Sequence, residues 1–252
     1  MTDQLGRKVN VDSVPKRIIS VVPSITELLF DLGLGERVVA RTKFCIHPEE
    51  ALLKPKIGGT KTLKTEAIRA LQPDLIIANK EENLKEDLEI LMEDFPTYVS
   101  DIKTVEDAIQ MIDDVGKLCA CEKKAASLIR DIQVAQSRLK KPLKEAIYLI
   151  WRDPYMSVGG DTFIHDMMPY AGYSNLLASK TRYPELSEED LRTLNPSYVL
   201  LSSEPYPFKE KHIEEIKAIL PKAQVLLVDG ELYSWYGSKM LKAFTSFNNA
   251  TS

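Results

Sequence analysis

Cysteine is scarce in this chain of 252 residues, which contains only three. Cys119 and Cys121 are two residues apart, too close for an easy bridge within a helix, and Cys45 stands alone. The pattern argues against a disulfide framework of the kind that stabilises small secreted domains.

Long apolar runs and an excess of positive charge are also missing. No apolar stretch approaches the roughly 20 residues that a membrane-spanning helix needs. The formal net charge of −4 provides no basic surface, so we expect no nucleic-acid partner. With 44% hydrophobic and 28% charged residues, the composition is typical of a globular protein with one large α/β domain or two lobes.

The first residues lack the features of a secretory signal. Residues 1–14 contain no apolar stretch and no small-residue cleavage site, so no signal peptide is predicted there. Two interpretations stay open: a cytoplasmic protein, or a mature form from which a signal has been removed.

A repeated segment organises the chain. Segment 66–78 returns 123 residues later as segment 189–201. Identical residues align in the two copies: Glu66 with Glu189, Arg69 with Arg192, Leu71 with Leu194 and Pro73 with Pro196. Each copy predicts a short helix stopped by proline and then a buried strand, and such self-similarity indicates a duplicated architecture.

Other predicted elements follow the same order in both halves. Strands are predicted at 17–22 and 146–151, each before a helix, and closing strands at 96–101 and 224–229. Strands that alternate with helices indicate parallel sheets. The predicted fold class is α/β, with two Rossmann-like lobes of mainly parallel sheets joined by a long linking α-helix.

The lobe boundaries follow from a stretch without strand patterns. We predict an N-terminal lobe over 1–103, a linking helical segment over 104–144 and a C-terminal lobe over 145–252. Apolar residues recur at helical spacing from Val105 to Leu118 and again from Ala125 to Leu139. A helix of about 20 residues spans ~30 Å, long enough to reach from one lobe to the other.

Three strings resemble those of a known family: RIISVVPSITEL at 17–28, LQPDLIIA at 71–78 and LNPSYVLL at 194–201. They are similar to the helical-backbone (class III) solute-binding proteins of ABC importers for cobalamin, haem and iron–siderophores. The resemblance runs from about residue 16 to residue 242, and the closest likeness is to the cobalamin-binding branch.

The resemblance implies a function. A bulky metal chelate (a cobalamin-like corrinoid, haem or ferric siderophore) would bind in an interlobe cleft, and an ABC permease/ATPase complex would be the partner. It further implies a periplasmic or cell-surface monomer that is not an enzyme and carries no cofactor of its own. The alternative is a cytoplasmic chelate-handling protein or enzyme on the same scaffold.

Glu66 and Glu189 match the surface glutamates that dock against permease arginines in that family. Carboxylates on separate lobes can engage two charged partner sites at once. The alternative is that both are first-turn acids that complement a helix dipole.

Ligands of open α/β sheets bind beyond the carboxyl ends of the strands. This rule nominates loop residues in both halves as ligand contacts: Ser24, Phe44, Cys45, His47, Asn79, Glu81, Glu82, Trp151, Arg152, Tyr206, Tyr233, Trp235 and Tyr236. The resemblance adds Thr60 and its neighbour Lys61, and Arg182 is added as a cation that could meet an anionic ligand group. Of the 19 aromatic residues, four precede Glu145, which suggests an aromatic wall in the second half for a flat ligand. The alternative is that Trp151 and Trp235 fill the core of the second lobe.

Several of these residues have structural alternatives. Cys45 and His47 resemble a soft metal pair, but two ligands make no metal site, and the structural interpretation is stronger. Axial coordination of a metal already in its chelate stays open for this pair. Arg152 and Arg182 could bind an anionic group or pair with nearby acids.

The likeness to the cobalamin-binding branch has two departures. Thr60 stands where that branch has a stacking tryptophan, and Ser234 stands where it has an aspartate. Siderophores, haem and other corrinoids therefore stay open as ligands. Nucleophile-elbow, zinc-protease and phosphate-loop motifs are absent, so the enzyme alternative has little support.

Overall fold

The computed structural model describes residues 1–139 and 142–249. Within these ranges the chain forms two compact units. The first unit comprises residues 1–102, 106–132 and 236–239, and the second unit comprises the rest of the described chain. The expected segments 104–144 and 145–252 each include a few residues, 140–141 and 250–252, that lie outside the described part.

The first unit is built on a four-stranded parallel sheet in the order β2-β1-β5-β6. Its elements are β1 (Ile18–Ser20), α1 (Pro23–Asp31), β2 (Val38–Arg41), β3 (Gly58–Gly59), β4 (Thr62–Leu63), α2 (Thr65–Ala70), β5 (Leu75–Asn79), α3 (Lys85–Met92) and β6 (Thr97–Ser100). The short pair β3 and β4 forms a separate antiparallel hairpin.

Two helices continue from the first sheet. They are α4 (Val105–Leu118) and α5 (Glu122–Ser137). Ala120, between them, has a left-handed φ of 52°, and the Cys121 N–H donates to the Gly116 carbonyl across the turn at 2.8 Å. A Cβ on Gly116 would lie 2.6 Å from the Ala125 Cβ, so glycine permits the close approach of the two helices.

The second unit contains the other parallel sheet, in the order β12-β11-β7-β9. Its elements are β7 (Lys144–Leu149), β8 (Tyr155–Met156), α6 (Phe163–Met167), β9 (Tyr173–Asn175), β10 (Glu185–Leu186), α7 (Glu188–Leu194), β11 (Tyr198–Ser202), α8 (Glu210–Ile219), β12 (Gln224–Val228), α9 (Glu231–Ser234) and α10 (Lys239–Asn249). Here β8 and β10 form the small antiparallel pair.

The predicted duplication is present in both sheets. Strand β11 begins 123 residues after β5 and has the same length, and α7 and β10 follow α2 and β4 at the same offset. Both central strands are buried, as expected for parallel strands whose two faces are covered by helices. The α/β fold class with mainly parallel sheets is thereby confirmed.

The segment expected to link the lobes is divided. It contains two helices instead of one, since the turn at Ala120 interrupts the apolar pattern. Residues 106–132 pack with the first unit, and α5 continues from there into the second. Residues 236–239, expected in the C-terminal lobe, pack with the first unit instead.

Side-chain capping distinguishes the two copies of the repeated helix. Ser187 begins α7 with a capping box: its hydroxyl accepts from the Asp190 N–H at 3.1 Å, and the Asp190 carboxylate accepts from the Ser187 N–H at 2.8 Å. Lys64, at the corresponding end of α2, provides no side-chain cap. The stability of α7 therefore depends more on its own terminus than that of α2 does.

Ser187→Ala should lower the free energy of unfolding by ~1 kcal/mol, the usual contribution of an N-cap side chain. Urea denaturation followed by circular dichroism measures this. Thr193→Ala, an exposed change inside the same helix, is the matched control and should leave stability unchanged or slightly higher, because alanine is the better helix former. Equal losses in both variants would contradict the role of the cap.

Candidate functional site

The carboxyl ends of the first sheet bring together the loops after β5 and between β3 and β4. Asn79 ends β5, is buried, and accepts the backbone N–H groups of Glu81 and Glu82 at 2.8 and 3.1 Å. Lys61, at the hairpin tip beside Thr60, donates its ammonium to the Glu81 carbonyl. These five predicted site residues therefore form one continuous part of the edge.

The loop after β2 presents one aromatic residue and buries its thiol. Phe44 is exposed, with the Lys43 ammonium 4.7 Å from its ring centroid, and His47 is half-buried. Cys45 is fully buried, and its sulfur lies 3.1 Å from the hydroxyls of both Thr26 and Thr42. Burial raises the pKa of the Cys45 thiol, which favours a core role for this residue over metal coordination.

Tyr236 joins the first unit through a long-range hydrogen bond. Its hydroxyl donates to Glu82 Oε1 at 2.9 Å, between residues 154 positions apart. Burial raises the pKa of Tyr236 well above its usual value and the Glu82 carboxylate raises it further, so the phenol stays protonated. Ser24, buried in the first turn of α1, lies close enough to lower that pKa but makes no hydrogen bond of good geometry.

A buried ion pair holds the same segment. Lys239 Nζ lies 3.0 Å from Glu27 Oε1, and the lysine side chain is only 3% exposed. Burial raises the pKa of Glu27, and the ammonium of Lys239 opposes that shift. Neither residue was nominated from the sequence, because the pair joins distant parts of the chain.

In the second unit, Trp151 and Tyr206 form part of an aromatic surface. Trp151 follows β7 and is 41% exposed, and its ring meets that of Tyr206 edge to face at 5.7 Å. Tyr206 is also hydrogen-bonded to His212 Nε2 at 3.2 Å, which fixes its orientation. Both rings lie in loops that follow strands of the second sheet, and Trp151 is exposed whereas Tyr206 is half-buried.

The other two aromatic candidates of this unit are buried. Tyr233 packs between the rings of Tyr148 and Phe247, with centroids 5.1 and 5.0 Å away. Trp235 is 9% exposed, and its indole N–H donates to Glu204 Oε1 at 2.9 Å. The segment expected to be an irregular loop contains the short helix α9, which directs both rings inward.

Both arginine candidates have local contacts. Arg152 donates to Glu215 at 2.9 Å and to Asp153 at 2.6 Å, as the alternative interpretation proposed. The exposed Arg182 has its guanidinium 5.4 Å from the Tyr183 ring centroid. Because its charge is already paired with two carboxylates, Arg152 is a weak candidate for contact with an anionic ligand group.

Glu204 lies in the same nominated loop as Tyr206 but was not itself predicted as a ligand contact. Its carboxylate accepts from the Ser234 hydroxyl at 2.8 Å as well as from Trp235. It stands 123 residues after Glu81, and the Ser202 hydroxyl accepts its N–H much as Asn79 accepts that of Glu81. The repeat offset was therefore the signal that could have identified it.

Glu66 and Glu189 have equivalent surroundings in their own units. Each lies in the first turn of its helix, and the two side chains are 83% and 81% exposed. Arg69 pairs with the first at 2.9 Å, and Arg192 lies 3.7 Å from the second. The sequence placed both on the surface, and the structure agrees.

The described ranges contain neither a metal-binding cluster nor a helix that could cross a membrane. Nowhere in residues 1–139 and 142–249 do three or more His, Cys, Asp or Glu side chains gather as a metal-binding group. None of the helices in that part of the chain is long and apolar enough to cross a bilayer. The Cys45–His47 pair thus has no further protein ligand in this part of the structure.

The chain belongs to the periplasmic binding protein family, whose model matches residues 18–221 and so includes the first parallel sheet and all of the second except β12. An ABC transporter substrate-binding lipoprotein of Bacillus subtilis, YvrC, is 26% identical, over 95% of this chain and 81% of the relative. The fold is similar to that of the periplasmic vitamin B12 binding protein BtuF of Vibrio cholerae, with a TM-score of 0.80 and 23% identity over 94% of this chain and 96% of that one. A periplasmic heme binding protein from Pseudomonas aeruginosa also has a TM-score of 0.80, with 18% identity over 94% and 92% of the two chains.

Glu204 should make stability depend on pH. Burial raises its pKa above the ordinary 4.5, more than its hydrogen bonds to Ser234 and Trp235 lower it. The folded state therefore holds the proton more tightly than the unfolded chain, so this contribution to stability is present below about pH 4.5 and is lost as the pH rises through the folded pKa. Glu204→Gln keeps a carbonyl acceptor and should remove this dependence.

Urea denaturation at several pH values between 4.5 and 7 measures the effect. Relative to Glu204→Gln, the wild type should lose stability as the pH rises. Glu210→Gln, at an exposed first-turn glutamate of α8, is the control and should follow the wild type. Parallel curves for the wild type and Glu204→Gln would show that Glu204 does not titrate abnormally.

Proposed function

We propose that this chain is the solute-binding component of an ABC importer and that it captures a bulky metal chelate. The observation that carries the proposal is the family match over residues 18–221, which includes the whole first parallel sheet and three of the four strands of the second. The relatives named above include an ABC transporter lipoprotein, a vitamin B12 binding protein and a heme binding protein. A corrinoid, haem and a ferric siderophore are the candidate ligands. Proteins with those names act in the periplasm or on a lipid anchor, and we propose the same location here.

The accessible members of the predicted site are the proposed contacts. Their shared property is that each is exposed or half-buried at a carboxyl-edge loop: Phe44, His47, Thr60, Lys61, Glu81, Glu82, Trp151, Arg182 and Tyr206. The buried candidates are proposed to support the loops and not to contact the ligand, since their side chains contact other protein groups or pack in the core. They are Ser24, Cys45, Asn79, Tyr233, Trp235 and Tyr236.

The composition of these loops suits a flat ligand with polar edges. Trp151 and Tyr206 offer apolar ring surface, whereas Glu81 and Glu82 offer acceptors for amide or hydroxyl donors. Apolar walls with few convergent polar groups are typical of small-molecule sites. Such a surface is compatible with each of the candidate chelates.

Titration of the purified protein with cyanocobalamin, ferric haem and a ferric hydroxamate tests this function. All three absorb visible light, so a bound ligand should be detected by its spectrum and by quenching of tryptophan emission. Binding of at least one ligand is expected. Absence of binding to all three, at protein and ligand concentrations in the micromolar range, would contradict the chelate proposal.

The two tryptophans provide an internal comparison. Trp151→Ala should weaken binding about tenfold, because stacking adds ~0.5–1.5 kcal/mol beyond burial, and should change stability little, since the ring is 41% exposed. Trp235→Ala should instead cost ~3–5 kcal/mol of folding stability, as for a buried aromatic side chain. Thermal melts and titrations of both variants separate the roles, and unchanged affinity in Trp151→Ala would remove this ring from the site.

We also propose that Glu66 and Glu189 dock the protein on its permease. Two exposed carboxylates at equivalent positions of the repeat can engage two positively charged sites of a partner. The arginine beside each glutamate orients the carboxylate but leaves it accessible.

Charge reversal of both residues, Glu66→Lys with Glu189→Lys, should abolish ligand uptake through the cognate permease and leave ligand affinity unchanged. The matched control reverses Glu86 and Glu210, exposed first-turn glutamates of α3 and α8, and should keep uptake. Reconstituted vesicles with the permease and its ATPase provide the measurement. A loss of ligand affinity in the first double variant would place these residues at the ligand instead of at the permease.

A further inference from the structure

One buried amide connects three separate loops at the carboxyl edge of the first sheet. Asn83 is 4% exposed, and its Nδ2 donates to the carbonyls of Val21 at 3.2 Å and Thr60 at 3.1 Å. Its Oδ1 accepts the Asn79 N–H at 2.9 Å. Val21 precedes α1, Thr60 is at the hairpin tip, and Asn79 ends β5, so the three bonds reach three loops.

The orientation of this amide has no alternative. Both groups near Nδ2 are carbonyl oxygens, which can only accept, and the group near Oδ1 is a backbone N–H, which can only donate. If the amide were flipped, Oδ1 would face the two carbonyl oxygens and Nδ2 would face the backbone N–H. Both N–H bonds of the amide are thus engaged with partners far away in the sequence.

Asn79 extends the connection to a fourth strand. Its Oδ1 accepts the N–H groups of Glu81 and Glu82, and its Nδ2 donates to Ser100 Oγ at 3.1 Å, at the end of β6. The backbone positions of Glu81 and Glu82 are therefore set by Asn79, whose own N–H is held by Asn83. The second unit has no copy of this arrangement, because the residue 123 positions after Asn83 is Tyr206.

We propose that Asn83 is the positioning residue of the first unit's part of the ligand site. It fixes the hairpin that carries Thr60 and Lys61 relative to the loop that carries Glu81 and Glu82. This inference rests on the proposed function for its consequence in binding, whereas the coupling of the loops is a property of the protein alone. All three partners of the amide are backbone groups, so the contacts fix the backbone of the loops directly.

The isosteric variant Asn83→Asp isolates the donors. It keeps an oxygen to accept the Asn79 N–H but replaces Nδ2 by a second oxygen that faces two carbonyls. Tyr98→Phe is the matched control, since it removes one buried hydrogen bond of the same unit, to Asp114 at 2.8 Å, away from the loops. Both variants should lose stability, as expected when a buried partner is left unpaired.

Hydrogen–deuterium exchange tests the coupling without any ligand. In the wild type, the amide protons of Asn79, Glu81 and Glu82 should exchange slowly although two of them lie in a loop. In Asn83→Asp, exchange should rise at least about tenfold in residues 79–83 and 60–64 together, the factor that corresponds to ~1.4 kcal/mol. Tyr98→Phe should leave both segments unchanged. The proposal would be overturned if the loop amides of the wild type exchanged as fast as those of an unstructured loop. It would also be overturned if exchange in Asn83→Asp rose in only one of the two segments. The wild-type measurement decides even if the variant folds poorly.

Affinity provides the second measurement, with whichever of cyanocobalamin, ferric haem and ferric hydroxamate the wild type binds. Asn83→Asp should weaken binding at least about tenfold at pH 7, and Tyr98→Phe should not. Lowering the pH toward 4 should restore part of the loss relative to the wild type, because the protonated carboxyl regains one donor. If exchange rises in both segments of Asn83→Asp but its affinity is unchanged, the loops are coupled and the role of Asn83 in binding is refuted. If the wild type binds none of the three ligands, the proposed function is refuted, and the exchange experiment still tests whether Asn83 couples the loops.

Discussion

Parallel pairing of every strand in the two main sheets is the constraint on which the rest of this structure depends. A parallel strand cannot return through a tight hairpin, so each strand is followed by a crossover, and all carboxyl ends of a sheet meet at one edge. That edge concentrates backbone groups that the sheet no longer pairs. In the first unit the side chains of Asn79, Asn83 and Ser100 form hydrogen bonds with such groups, and in the second unit the Ser202 hydroxyl does so.

The two units pair the backbone at the end of the central strand in the same way, but they differ in the side chain that follows four residues later. Asn79 and Ser202 occupy equivalent positions and both accept the N–H two residues further along the chain. Four residues after the strand, however, the first unit has the buried amide of Asn83 and the second has the ring of Tyr206. One edge is therefore organised by amide hydrogen bonds and the other by edge-to-face aromatic contacts.

Much of this molecule could be predicted from local pattern. The repeat and the central strands follow from side-chain periodicity and from an offset that can be read directly, whereas the surface position of Glu66 and Glu189 was implied by the family resemblance. Loop positions such as Trp151 also followed from the rule on carboxyl ends. The burial of a side chain within a loop could not be predicted from that rule. The sequence predicts both Cys45 and Trp235 in loops. In the structure, however, Cys45 is buried against the hydroxyls of two threonines, and Trp235 is buried with its indole N–H hydrogen-bonded to Glu204.

The sequence by itself determined the fold class, the duplication and the set of loops in which a site could lie, because these depend on alternation and spacing among near neighbours. Only the tertiary structure decided that residues 236–239 pack with the first unit, where Lys239 pairs with Glu27 and Tyr236 with Glu82. It also decided that Asn83 joins three loops. Each of these features is a contact between groups far apart along the chain. Such contacts leave no periodic trace in either partner, so their identity emerges only when the chain is folded.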